Sequence, residues 1–202
     1  MPLESPGFDL RLERTSFPDL FQRLDRSLLD SFWREGKGFE RLQSVVLDRS
    51  ANPRSRFLAA EILFVRDPGY PHGVFVRELS EVYAGALSEA PGTSANPWGL
   101  PGLRDGQIEL HLATLGKAII PAFRPLLVDV RPVRYDGSQE ATYGNSYGYR
   151  VKDLAASLVA AAAGIPFVPP RDPLLRDAVV SRIAESTRSM GDHAPPPTMD
   201  RK

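Results

Sequence analysis

The chain contains no cysteine. That absence excludes disulfides, thiolate metal sites and thiol nucleophiles. Neither sign of charge is in excess: 25 Lys and Arg stand against 25 Asp and Glu, for a formal net charge of zero. Nonspecific binding to nucleic acid needs a basic footprint, so this balance argues against nucleic acid as a partner. No apolar run approaches the ~18 residues of a membrane span. Met1 to Arg14 is polar and of mixed charge, without the apolar stretch of a secretory signal. No membrane partner is therefore expected, and the expected compartment is the cytoplasm.

Catalytic signatures are also sparse. The three histidines are His72, His111 and His193, and none stands at a spacing that suits a metal. Glu109 and His111 are two residues apart, and such pairs do not share a helix face. The Gly-x-Ser-x-Gly letters of a nucleophile elbow occur at Gly144-Asn145-Ser146-Tyr147-Gly148, and Ser146, like Ser138, is read as a turn or cap residue. Gly137, Gly144 and Gly148 match neither the phosphate-binding loop nor the dinucleotide fingerprint, so no cofactor is implied.

What the chain does have is helical periodicity, punctuated by 19 prolines and 16 glycines. The spacing predicts a first helix from Pro18 to about Arg34, opened by a Ser16–Asp19 capping box. Its inward face is Phe17, Leu20, Phe21, Leu24, Leu28 and Phe32. Gly36 and Gly38 end it, and a short helix with Phe39, Leu42, Val45 and Val46 inward follows. Asn52-Pro53 marks a clean helix start, a cap residue and then proline at the first helical position. From Pro53 to Val65 the pattern is apolar nearly all round, the mark of a buried helix. Further helices are predicted at about 73–90, 105–115 and 147–163, the last stopped by Gly164, and from Asp172-Pro173 to about Arg188. Between Gly116 and Leu127 a helix carries Pro121 near its first turn and Pro125 further in, where it should bend or shorten the helix. Residues 91–102 read as a loop around Trp98. Residues 128–146 read as a long connection, with a minor strand element at Val130–Tyr135. The domain boundaries are an N-terminal extension over 1–15, one helical domain over 16–188 and a disordered tail over 189–202.

The pattern Arg56…Ala59-Ala60…Leu63 recurs loosely around Leu110…Leu115-Gly116 and Arg150…Leu154-Ala155-Ala156, at a spacing where solenoid repeats occur. Leu115-Gly116-Lys117-Ala118-Ile119-Ile120-Pro121-Ala122-Phe123 resembles the second helix of a HEAT-type repeat, with one inserted residue and Phe in place of Leu. Tyr149 to Ala156 resembles the helix that opens such repeats. The likeness covers roughly Pro53 to Glu185. It implies an all-α fold: a right-handed superhelical stack of antiparallel helix pairs, here interrupted by long irregular loops. It also implies a binding scaffold. Some members of that class are lyases or DNA glycosylases, but no residue pattern here carries either activity over.

The segment from Tyr135 to Arg150 stands apart in character. It holds four of the six tyrosines, together with carboxylates, an amide and Arg150. Loops of this composition suit recognition surfaces, and they equally suit a cover folded over a helix stack. The candidate partner-binding residues are Trp98, Tyr135, Asp136, Glu140, Tyr143, Asn145, Tyr147 and Arg150. Trp98 is read either as an exposed anchor or as a lid over the core. The expected function is a non-enzymatic helical module that binds another protein. By analogy with small bacterial helical-repeat proteins, one form would be an immunity or antitoxin-like partner. The alternative is an enzyme with Asp136, Glu140, Tyr143 and Arg150 as its acid–base groups, which requires a pocket and a carboxyl raised by burial.

Overall fold

A computed structural model describes residues 7–71, 75–92, 96–103, 106–136 and 139–190, with the side chains of residues 139 and 140 excepted. The described elements are helical throughout, and the chain divides into two compact units, Met1–Tyr70 and Pro71–Lys202. Ten α-helices occur among the described residues. His72 and His193, the predicted helix starts near 73 and 105, and most of the expected C-terminal tail lie outside them.

The N-terminal unit contains α1 (Phe8–Glu13), a π-helical turn (Pro18–Gln22), α2 (Ser27–Arg34), α3 (Gly38–Leu47) and α4 (Pro53–Arg66). Six residues of the expected N-terminal extension are thus helical, and Phe8 and Leu12 among them are buried. The core follows from α4, which buries Leu58, Ile62 and Leu63 completely and receives α1, α2 and α3. Each such side chain removed from water stabilises the unit by about 1.5–3 kcal/mol. Asn52 opens α4 as expected: its side chain accepts from the Arg54 amide at 2.9 Å, and Pro53 follows. At the other end of the α3–α4 turn, Arg56 donates through Nε and Nη2 to the Val46 carbonyl at 3.0 and 2.9 Å. An orphan carbonyl at the C-terminus of α3 is satisfied in that way.

The single helix expected over Pro18–Arg34 is two pieces. The Ser16–Asp19 box does form, with Ser16 N donating to Asp19 and Asp19 N donating back to Ser16 Oγ. The helix then breaks, because Asp25 accepts from Ser27 N at 2.8 Å and from Ser27 Oγ at 2.9 Å. A carboxylate that captures the backbone in this way restarts a helix rather than continuing one. Leu24, expected inward, is consequently fully exposed.

The C-terminal unit contains α5 (Val76–Ser88), α6 (Gln107–Leu115), α7 (Ile119–Phe123), α8 (Gln139–Tyr147), α9 (Val151–Ala163) and α10 (Pro173–Ser186). Its centre is α9, where Val151, Ala155, Ala156, Val159 and Ala160 are completely buried. The small alanines let α5, α6, α7 and α10 approach it. Gly164 closes α9 at φ 72°, and Ile165 N reaches back to the Ala160 carbonyl at 2.8 Å. This left-handed cap is what a glycine at that position allows. Pro125 shortens its helix as expected: α7 stops at Phe123, and the chain tightens into a 3-10 turn over Arg124–Val128.

Two expectations for residues 128–146 are corrected. The connection contains a nine-residue helix, α8. The minor strand is only an isolated antiparallel bridge between Pro132 and Arg150. Val133 N donates to the Tyr149 carbonyl at 2.9 Å and Val151 N to the Arg131 carbonyl at 3.0 Å. Pro132 and Arg150 are the non-hydrogen-bonded pair between these bonds, so the missing Pro132 N–H costs the bridge nothing, and the ladder ends because the partner strand turns into α9 after Arg150.

Candidate functional site

The tyrosine-rich segment becomes a folded corner built on α8, the 132–136 strip and the starts of α9 and α10. Asn145 ties the strip to the helix. Its Oδ1 accepts from the Tyr135 amide at 3.2 Å, and its Nδ2 donates to the Tyr135 carbonyl at 2.8 Å. One side chain thereby imitates a strand partner. Gly144 makes room for the Tyr135 ring, since a Cβ there would come within 2.3 Å of it. Tyr135 meets Tyr149 edge-on at 6.3 Å, and Tyr149 stacks on Tyr147 at 5.2 Å. Burial, and next the neighbouring Tyr147, push the Tyr149 hydroxyl up to about 12.

Below the rings lies a charge network. Asp153, in the first turn of α9, is completely buried. It accepts from the Arg150 amide at 2.9 Å, from Arg150 Nε and Nη2 at 3.0 Å each, and pairs with Arg176 Nε at 3.1 Å. Arginine has no acceptor, so only the carboxylate half of a capping box exists here. Arg176 is itself completely buried. Its Nη2 donates to the Tyr147 carbonyl at 3.0 Å and the Gly148 carbonyl at 3.3 Å, and its Nη1 to the Pro170 carbonyl at 3.1 Å. The guanidinium also lies 5.0 Å from the Tyr149 ring centre. It closes the C-terminus of α8, whose last carbonyls have no helical partner. Asp177 accepts from Arg150 at 2.5 Å and pairs with Lys152 at 2.9 Å. Burial works against the Arg150 charge, but Asp153 and Asp177 together outweigh it and raise its affinity for the proton.

Arg150 and then Lys152 hold the Asp177 carboxyl below the usual carboxylate range. A lowered folded-state pKa means that this stabilisation is complete above the unfolded value of about 4 and is lost as pH falls through the folded value. Asp177→Asn is therefore expected to cost stability at neutral pH, and the difference from wild type should shrink below about pH 4. Urea unfolding at pH 7 and pH 3 measures it. An unchanged difference at the two pH values would refute the assignment.

The structure brings Tyr135, Asn145, Tyr147 and Arg150 together, but mostly as internal parts. Tyr135 is buried, and Arg150 is engaged with two carboxylates. Trp98 is 5% exposed and packs edge-on against Tyr83 at 6.4 Å, so it is the lid rather than the anchor. Asp136 faces solvent. Glu140 stands in the first turn of α8, and its side chain lies outside the described ones. Tyr143 alone offers a freely exposed ring, at 64%. Tyr147, four residues on along α8, is half-buried under the Arg171 guanidinium, which lies 5.9 Å from its ring centre. Arg171 lies in a segment in which Val168, Leu174 and Leu175 are exposed.

Sequence reasoning missed Arg176, Asp177 and Arg171. A signal for Arg176 existed: Arg176, Val180 and Ile183 form the buried stripe of α10 at helical spacing. Among the described residues, no group of three or more His, Asp or Glu is placed to hold a metal ion, and no helix is long and apolar enough to cross a membrane. Comparisons with protein-family models, curated proteins and solved structures find no match.

Proposed function

We propose that the protein is a helical module that binds another protein through the face made by Tyr143, Tyr147, Arg171, Leu174 and Leu175. The observation that carries this reading is the exposure of Tyr143, on the helix of Tyr147, and of Leu174 and Leu175, just after Arg171, whose guanidinium lies 5.9 Å from the Tyr147 ring centre. Tyrosine and arginine are the residues most enriched at the energetic centres of interfaces, and an apolar surround excludes water from them. The network of Arg150, Asp153 and Arg176 beneath the face holds its backbone in place, which lowers the entropy lost on binding. The partner this fits presents an apolar patch with a carboxylate to meet Arg171.

The HEAT-like arrangement is part of the same proposal. It is supported by the contacts of α5 with α7 and of α7 with α9, the alternate-helix order that stacked helix pairs require. The acid–base alternative is less supported, because Arg150 is occupied by two aspartates and Asp136 faces solvent.

The test is affinity capture with wild-type protein beside Tyr143→Ala and Leu175→Asp. A stoichiometric partner should bind wild type and fall at least tenfold with either variant, since an interface hot spot is worth about 2 kcal/mol or more. Both positions are exposed, so the helical circular dichroism should not change. Equal capture by all three proteins would remove the proposal.

A further inference from the structure

A cavity of about 850 Å³ opens on the N-terminal unit, walled by α1, by the α2–α3 corner and by the turn that enters α4. The cations on its wall are already engaged. Arg11 pairs with Glu35 at 2.5 Å and donates to Ser31 Oγ at 3.0 Å, while lying over the Phe32 ring. Arg41 pairs with the other oxygen of Glu35 at 3.1 Å and lies over Phe8. The N-terminus of α4 offers an anion little, since Pro53 has no N–H and Asn52 already binds the Arg54 amide.

The carboxylates are not balanced in the same way. Asp48 is held by Ser50, whose hydroxyl and amide donate at 2.6 and 2.8 Å and keep its carboxyl low. Asp9 and Glu13, however, stand four residues apart on one face of α1, both on the cavity wall, and form no ion pair among the described residues. Two arginines thus stand against four carboxylates, and because both engage Glu35, Asp9 and Glu13 lie side by side without a cation while Asp48 has only its Ser50 donors. Ser55 also lines the cavity, from the first turn of α4. It is 5% exposed, and its hydroxyl has no hydrogen-bond partner. A buried hydroxyl left unpaired is costly, and it takes a partner when one is offered.

We propose that this cavity binds a guanidinium or primary ammonium group, with Asp9 and Glu13 as its charge partners and Ser55 Oγ as an acceptor. The group belongs either to a free small cation or to a Lys or Arg side chain of a partner protein. The site lies in the N-terminal unit and the Tyr143 face in the C-terminal unit, so either proposal can fail without the other.

The experiment is isothermal titration of the full chain with agmatine, with spermidine and with a capped Gly-Arg-Gly-Arg peptide, beside inorganic phosphate. At least one cationic probe should give saturable one-to-one binding. Asp9→Asn combined with Glu13→Gln should weaken it about tenfold or more, and Ser55→Ala should weaken it less. Glu185→Gln, an exposed carboxylate on α10, should leave it unchanged. Tighter binding of the peptide assigns the group to a partner's side chain, and tighter binding of agmatine or spermidine assigns it to a free cation. The absence of saturable binding by all three cations, equal binding by the double variant, or phosphate binding that Arg41→Gln abolishes would each overturn the proposal.

Discussion

Arg176→Met should cost the C-terminal unit about 3 kcal/mol, the lower end of the range for breaking a buried ion pair. Methionine fills most of the space that the arginine leaves, so the loss reports hydrogen bonds and charge rather than a void. Four backbone carbonyls, those of Tyr147, Gly148, Pro170 and Arg171, lose a donor at part-buried sites. Asp153 loses one of its two guanidinium partners, and because Arg150 remains the upper end of the range is not expected. For a chain of this size the melting temperature should fall by roughly 6–12 °C. Arg176→Lys should recover only part of the loss, because an ammonium cannot reach α8, α9 and the 170–171 turn with one planar fork. Urea unfolding of the three proteins decides it. A loss below about 1 kcal/mol for Arg176→Met would show that the network is dispensable.

Gly38→Ala should be of similar size in the N-terminal unit, and it reverses the usual rule. Alanine normally stabilises a helix over glycine by about 1 kcal/mol. Gly38 opens α3 beneath the end of α2, and a Cβ there would lie 2.3 Å from the Trp33 carbonyl oxygen and 2.5 Å from that of Phe32. Both obstacles are backbone, so no rotamer change relieves them. The cost should reach about 3 kcal/mol, the upper end of what overpacking produces. Gly36→Ala, two residues earlier, meets nothing within 4 Å and serves as the control. Similar urea midpoints for the two variants would contradict the close approach.

Local signals carried most of the fold. Asn52-Pro53 and Asp172-Pro173 place the starts of α4 and α10 because a cap and a first-turn proline act on their own neighbours. The ends set by Pro125 and Gly164 are legible for the same reason. What escaped depends on distant partners. Gly144, Asn145 and Ser146 are poor helix formers, and α8 holds because Tyr135 packs on Gly144 while Asn145 grips the Tyr135 backbone. The break after Leu24 was hidden because Asp25 competes with a helix that the apolar spacing favours. In the site, Arg150 and Asp153 are close enough in sequence to suggest a pair. Their third member, Arg176, is 23 residues beyond Asp153 and occupies a position where the stripe of α10 calls for an apolar side chain. The residues expected to bind were judged by composition, and composition does not distinguish Tyr143, which faces solvent, from Tyr135, which does not.

The placement of the two tryptophans gives each unit its own optical reporter. Trp33 belongs to the N-terminal unit, half-buried at the end of α2 with its ring edge-on to Phe39 at 6.1 Å. Trp98 is enclosed in the C-terminal unit against Tyr83. With Trp33→Phe the remaining emission comes from an enclosed indole and follows the C-terminal unit alone. With Trp98→Phe it follows the N-terminal unit. The pair of single-tryptophan proteins turns fluorescence into a domain-by-domain readout, and the coincidence or separation of their two melting curves measures whether the units unfold as one cooperative body.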